Sequence, residues 1–190
     1  MVKLFDIDGV NRAASVFNDE KLLWLSQQYI INSPAEHIAR HLAHHLGLLG
    51  IDPTEGPDIM DVVAAQRERA TTLVEMAAIS EFIYRDFDAF DEAAAKKNLR
   101  PVAREPLQQV RDGLAALSQW TPESTYQVVK DVAAAMELKM GKVAQPLRVA
   151  VVGRAASPSI DVTLHLVGQA ATLRRIDMAL DYIAKREAQG

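Results

Sequence analysis

Cysteine is absent from the 190 residues. That removes disulfides, thiolate-bound metals and Fe–S clusters, and it fits a reducing compartment. Long apolar runs are absent too, with none approaching the roughly 20 residues that span a bilayer. The N-terminus lacks the charged-then-apolar pattern of a secretory signal. A cytoplasmic location with no membrane partner is therefore expected. Glycines number only nine and aromatics make up 6%. No glycine-rich phosphate loop and no nucleophile–base pair stands out to mark a complete active site. What is plentiful is alanine and leucine, within a hydrophobic share of 49%. This is enough apolar material for one large or two small domains, and the mix favours helix over sheet.

The formal net charge of −4 argues against a general nucleic-acid binder, which would be basic overall, and no DNA partner is expected. The charge is uneven, however. Residues 130–190 hold nine Lys/Arg against six Asp/Glu, so the rest of the chain is the acidic part. Any phosphate contact is expected in this C-terminal third.

Residues 1–19 lack a helical period and read as an extended lead-in, with a helix beginning near Asp19. Ser33 reads as the N-cap of the next helix, with Pro34 at its first position, Glu36 completing a capping box, and Ile38, Leu42, Leu46 and Leu49 as its apolar stripe. Gly47 and Gly50 end it. Further helices follow from about Asp58, after a cap at Thr71 or Thr72, from Pro106 to Leu117, and from a Thr121 cap to about Met140. Ser157-Pro158 opens a short helix that Gly168 closes, and a last helix starts near Ala170. Val149–Val152 reads by itself as a short buried strand. Asn98–Pro106, with two prolines and two arginines, is the expected subdomain boundary, giving lobes at 20–100 and 101–190.

Three local patterns invite a chemical reading. Phe5-Asp6-Ile7-Asp8-Gly9 resembles the first motif of haloacid-dehalogenase-type phosphatases, in which paired aspartates work with Mg²⁺. That motif needs a preceding buried strand and a downstream acidic pair; only four residues are available for the strand, and no such pair follows an apolar run. His37, His41 and His44 share one helix face, with His45 beside them, a spacing that can hold Zn²⁺. No carboxylate or cysteine completes a site, and a solvated face opposite the leucine stripe explains the same residues, so no metal is expected. Lys139-Met140-Gly141-Lys142-Val143 echoes the ATP-phosphate loop of class I aminoacyl-tRNA synthetases, but no nucleotide-binding α/β domain accompanies it.

Four stretches together resemble the C-terminal region of bacterial glutamate–tRNA ligases. They are Val16 to Leu25 continuing to Ile30, Gln66 to Glu75, Lys139 to Arg148, and Gly153 to Ile160. The resemblance runs from about Phe5 to Ile183. It implies an all-α fold of two helical lobes, which overrides the strand at Val149–Val152, since a four-residue apolar run cannot be told from buried helix by periodicity. It also implies tRNA(Glu) as partner, through the anticodon, and a monomer. The family's catalytic domain lies upstream of the region matched. ATP and Mg²⁺ would thus serve the whole enzyme, and this stretch alone is expected to carry no cofactor and no ligase activity.

The same resemblance assigns site residues. Arg69 matches the family's reader of the third anticodon base, with Arg67 as neighbour. Arg148 is the second candidate, with Ser157 offering a hydroxyl at a helix start and Ile160 an apolar surface under a base. Lys139, Lys142 and Arg154 are candidate phosphate contacts. A phosphatase, or a helical interaction module with no RNA partner, remains as an alternative.

Overall fold

A computed structural model describes residues 17–189, so the Asp6/Asp8 motif lies outside the described residues. Within them the chain forms α-helices joined by short turns, with no strand: α1 Asp19–Asn32, α2 Ala35–Leu48, α3 Ile59–Gln66, α4 Leu73–Tyr84, α5 Glu92–Asn98, α6 Arg104–Ala115, α7 Pro122–Ala135, α8 Met140–Val152, α9 Ile160–Val167 and α10 Gln169–Gln189. None is long and apolar enough to cross a membrane. α2, α3 and α4 pack on one another; α6 to α10 form a second group in which α10 lies along α6, α8 and α9. α5 packs on α8, so the change of packing partners falls between α4 and α5. The two groups meet where α9 touches α3 and α4. The core runs through both, from Leu42, Leu46, Val62 and Met76 to Leu107, Leu147, Leu164 and Ile176.

Local sequence explains most helix starts. Asn18, Asp58, Thr72 and Asp91 each accept a backbone N–H in the first turn of α1, α3, α4 and α5. Thr121 forms a capping box with Ser124, and Pro122 holds the first turn of α7.

Ser33 does not cap α2. Only Ser33 and Pro34 join α1 to α2, and Ser33 is used to close α1, its N–H donating to the Tyr29 carbonyl at 2.9 Å. Pro34, in extended conformation, takes the N-cap position, and its carbonyl receives the N–H groups of His37 and Ile38. Nor does α7 reach Met140. It stops at Ala135 in a turn where Glu137 has φ 53° and the Leu138 N–H returns to the Ala133 carbonyl at 2.8 Å. This is a Schellman-type ending with glutamate where glycine is usual. Val149–Val152 are the last residues of α8, all buried. They carry no polar residue because helix surrounds them on every side. Gly153 then ends α8 at φ 79°, with the Phe87 ring so close that an added Cβ would lie 3.2 Å from it. Leu49, expected in the α2 stripe, is 41% exposed, whereas Ile38, Leu42 and Leu46 are buried.

Helix ends are closed from far away in sequence. Carbonyls in a last turn have no intrahelical partner. Arg186 donates to Leu99 O after α5 (2.9 Å), Gln169 to Leu114 O in α6 (2.9 Å), and Trp120 Nε1 to Leu164 O in α9 (2.9 Å). Arg85 reaches Leu49 O beyond α2. Arg175, only 4% exposed, serves two helices at once: Nη1 donates to Phe82 O of α4 and Val151 O of α8, both at 2.8 Å, Nη2 to Arg85 O at 2.7 Å, and Nε to the Asp86 carboxylate at 2.9 Å. Hydrogen bonding from Arg174, then from Arg175, holds the Asp86 carboxyl below the usual carboxylate range despite partial burial. Its contribution to stability is therefore fully present above the unfolded value of about 3.9 and fades as pH falls through the lower folded value.

The two caps make opposite predictions. Thr121→Ala should cost about 1 kcal/mol. Ser33→Ala should change stability by less than about 0.5 kcal/mol, as at a surface position without a cap role. Urea unfolding of both variants measures this, and a loss confined to Ser33→Ala would reverse the assignment.

Candidate nucleic-acid interface

The turn between α3 and α4 is pinned at both ends. Gln66 is buried and its amide donates to Ile79 O at 3.2 Å; Ala70 is fully buried; the Arg69 N–H donates to Gln66 O at 2.8 Å. The Glu75 carboxylate accepts the Thr71 N–H and hydroxyl at 2.7 and 2.6 Å, which lowers its pKa. Between these anchors the two arginines diverge. Arg67 turns inward and its Nη2 donates to Ile30 O and Ser33 O, both at 2.7 Å, closing the end of α1. Arg69 points outward and is exposed.

Arg148 projects from the middle of α8 and is half-buried. Its Nε donates to Gln145 Oε1 at 3.0 Å, and its Nη1 donates to Ser157 O at 3.0 Å, to the Ser157 hydroxyl and to Pro158 O. The Ser157 hydroxyl lies 2.9 Å from that of Thr163, which donates to Pro158 O at 3.2 Å. The 153–159 loop is thus folded around one edge of the guanidinium. The Nη2 group has no hydrogen-bond partner among the described residues. Burial lowers the Arg148 pKa, and the positive charge of Arg69 lowers it further. The charge of Arg69, on the turn between α3 and α4, is thus felt at Arg148 on α8. Neither has an ion-pair partner among the described residues. Such a site favours an incoming acceptor, whether a phosphate oxygen or a base edge.

The remaining candidates fall elsewhere. Arg67 closes a helix end rather than facing solvent. Ser157 is buried and positions Arg148; the N-cap of α9 is Ser159, which makes no side-chain cap. Ile160 is 5% exposed and belongs to the core, so it offers no surface to a base. Lys139 and Lys142 are exposed at the start of α8, the stretch that echoed an ATP loop. Exposed Arg154 lies with its Nη2 3.5 Å from Ala78 O. The histidines stand on the outer face of α2, His37 and His41 edge to face at 4.7 Å and His44 and His45 at 5.5 Å. Among the described residues no group of three or more His, Cys, Asp or Glu is placed to hold a metal. Sequence reasoning missed Gln145, which sets the Nε edge of Arg148. Its only signal is that it lies three residues before the arginine, on the same helix face.

Comparison with known proteins bears on this geometry. A family model described as an anticodon binding domain matches residues 35–180. Glutamate–tRNA ligase 1 of Nitrosococcus oceani is 53% identical over 186 residues, 98% of this chain and 40% of that protein. The ligase of the same name from Alkalilimnicola ehrlichii is 53% identical over 188 residues, 99% of this chain and 40% of that protein. A solved glutamate tRNA ligase from Elizabethkingia meningosepticum, in complex with its amino acid, has a TM-score of 0.84 at 26% identity, covering 94% of this chain and 35% of that one. The glutamate-tRNA synthetase of Elizabethkingia anophelis gives 0.78 at 26% identity, over 93% and 34%. The chain spans about two fifths of the length of the curated relatives it matches.

The inward course of Arg67 has a measurable consequence. Arg67→Ala leaves two carbonyls at the end of α1 without their donor and should cost about 1–3 kcal/mol. A variant with an unchanged urea midpoint would return Arg67 to the list of ligand-facing residues.

Proposed function

Because the chain belongs to the family of anticodon-binding domains, we propose that it reads the anticodon of tRNA(Glu) as one part of a glutamate–tRNA ligase. The observation that carries this reading is Arg148, half-buried and held at Nε and Nη1 with Nη2 unspent, without a counter-charge among the described residues and within the field of exposed Arg69. The attachment of glutamate, with the ATP and Mg²⁺ it requires, belongs to the rest of such an enzyme. A cytoplasmic, monomeric protein is part of the same reading.

The chemistry follows from what guanidinium groups and base edges can exchange. Anticodon bases are unpaired and are read on their edges and faces. Glutamate and glutamine codons differ in their first base, so the two anticodons differ in their third, cytosine against guanine. The pairing edge of cytosine carries the adjacent acceptors O2 and N3. That of guanine carries two donors there, N1–H and N2–H. A guanidinium presents only donors, in a planar fork. It pairs with the first and leaves donors facing donors with the second. Arg69, exposed on an anchored turn, is the reader in this scheme. Arg148, held at Nε and at Nη1, offers Nη2 to a neighbouring base or phosphate. Lys139, Lys142 and Arg154 supply sequence-independent phosphate contacts.

Charging kinetics of the full-length ligase test the assignment, using tRNA(Glu) and a version with guanine at the third anticodon position. Arg69→Ala should erase about 1–3 kcal/mol of discrimination, the scale of a bidentate base contact. Arg69→Lys should not restore it, because lysine is a point charge without the fork. Equal losses on both tRNAs would make Arg69 a phosphate contact. No loss on either would remove it from the interface and leave Arg148 as the better candidate. The 190-residue chain alone should show no glutamate- and tRNA-dependent pyrophosphate exchange.

A further inference from the structure

A groove of about 870 Å³ runs between the end of α5, the turn that follows it, and the start of α8. Five cations line it, Lys96, Lys97, Arg100, Lys139 and Lys142, and its lining contains no carboxylate. All five side chains are exposed, and none takes part in an ion pair among the described residues. In a chain of net charge −4 this concentration of unpaired positive charge is a local exception. Between the cations the lining is apolar, with Val102, 73% exposed, beside Leu138 and Pro146. The groove also joins the arginine site: Gln145 lines it and at the same time holds Arg148 Nε at 3.0 Å.

We propose that this groove binds the ribose–phosphate backbone of the tRNA strand where it leaves the anticodon, with Lys96, Lys97 and Arg100 around the end of α5 as phosphate contacts alongside Lys139 and Lys142. The inference rests on the anticodon-reading function and deepens it. It adds a backbone track, supplied largely by residues around the end of α5, to a base-reading site supplied by Arg69 and Arg148. The division is the one nucleic-acid interfaces usually show, in which phosphate contacts set register and base contacts set identity. Charge complementarity favours a polyanion. Exposed Val102 and half-buried Leu138 among the cations favour one that also carries rings to lay against them, as a nucleotide strand does. Continuity through Gln145 places that strand within reach of the bases that Arg148 faces.

The test is a titration of the full chain with transcripts of tRNA(Glu), and of the same tRNA with guanine at the third anticodon position, across a salt series. The variants are the double substitution Lys97→Gln with Arg100→Gln, and Arg69→Ala. Both groove side chains are exposed and unpaired, so the helical circular dichroism and thermal midpoint of the double variant should match the wild type. Its association constant should fall several-fold for both tRNAs alike. Its slope of log K against log salt should become shallower by about 1.4, about 0.7 for each cation removed from a single strand. The preference between the two tRNAs should stay as in the wild type. An unchanged slope and affinity in the double variant, with Arg69→Ala still altering the preference, would overturn the groove assignment and leave the anticodon reading standing. If the wild-type chain bound neither tRNA in a salt-dependent way, both readings would fall. Binding of an oligoglutamate peptide that the double variant abolishes, with tRNA binding unmoved, would assign the groove to an acidic protein partner and overturn the proposal.

Discussion

A guanidinium that loses its water must find hydrogen-bond acceptors for its five N–H groups inside the protein. Arg175 meets this demand with the last-turn carbonyls of α4 and α8, the Arg85 carbonyl and the Asp86 carboxylate, while its face covers the Phe87 ring at 5.3 Å. Those acceptors come from both helical groups. One buried side chain therefore fixes the end of α4, which belongs with the Arg69 turn, against the end of α8, which carries Arg148. The rest of the architecture depends on this junction. Together with the packing of α9 on α3 and α4, it sets how the Arg69 turn and α8 face each other.

The same device recurs across the molecule. Short helices expose many orphan carbonyls relative to their length. In this chain Arg67, Arg85, Gln169, Arg186 and Trp120 each carry a donor to the end of a helix distant in sequence. Arg148 differs in degree only. It too is held by carbonyls, of Ser157 and Pro158, but one edge of its guanidinium is left over. A residue that fastens a loop and one that meets a ligand are thus the same kind of residue, separated by how many of its donors the protein consumes.

That continuity explains what the sequence could disclose. Helix starts were legible where the signal is local, as at Asp58, Thr72 and Thr121. The start of α2 was misread because Ser33 looks like a cap until the two-residue link to α1 is known. The end of α7 was overshot because a left-handed Glu137 carries no glycine to announce it. The closing arginines were not legible at all, since their acceptors lie dozens of residues away and carbonyls leave no mark in sequence. For the site, resemblance pointed first to Arg69 and then to Arg148, one exposed and one half-buried in the fold. It pointed next to Arg67, Ser157 and Ile160, and only the three-dimensional packing reveals that Arg67 turns inward and that Ser157 and Ile160 are buried. The cations at the end of α5 escaped notice because a Lys-Lys pair in the last turn also suits the helix dipole.

Half-buried Arg148 and exposed Arg69 suit an electron-rich ligand, and no ion-pair partner among the described residues supplies that counterpart. The most direct test places a probe in the ligand itself. The central anticodon base of tRNA(Glu) is a uridine and can be replaced by 4-thiouridine, which keeps the N3–H donor and exchanges only the O4 acceptor for sulfur. After irradiation of the complex with the full chain, peptides cross-linked to this base should come from the Arg69 turn or from the segment between Gln145 and Ser159. Cross-links confined to the outer faces of α1, α2 or α10 would contradict the account.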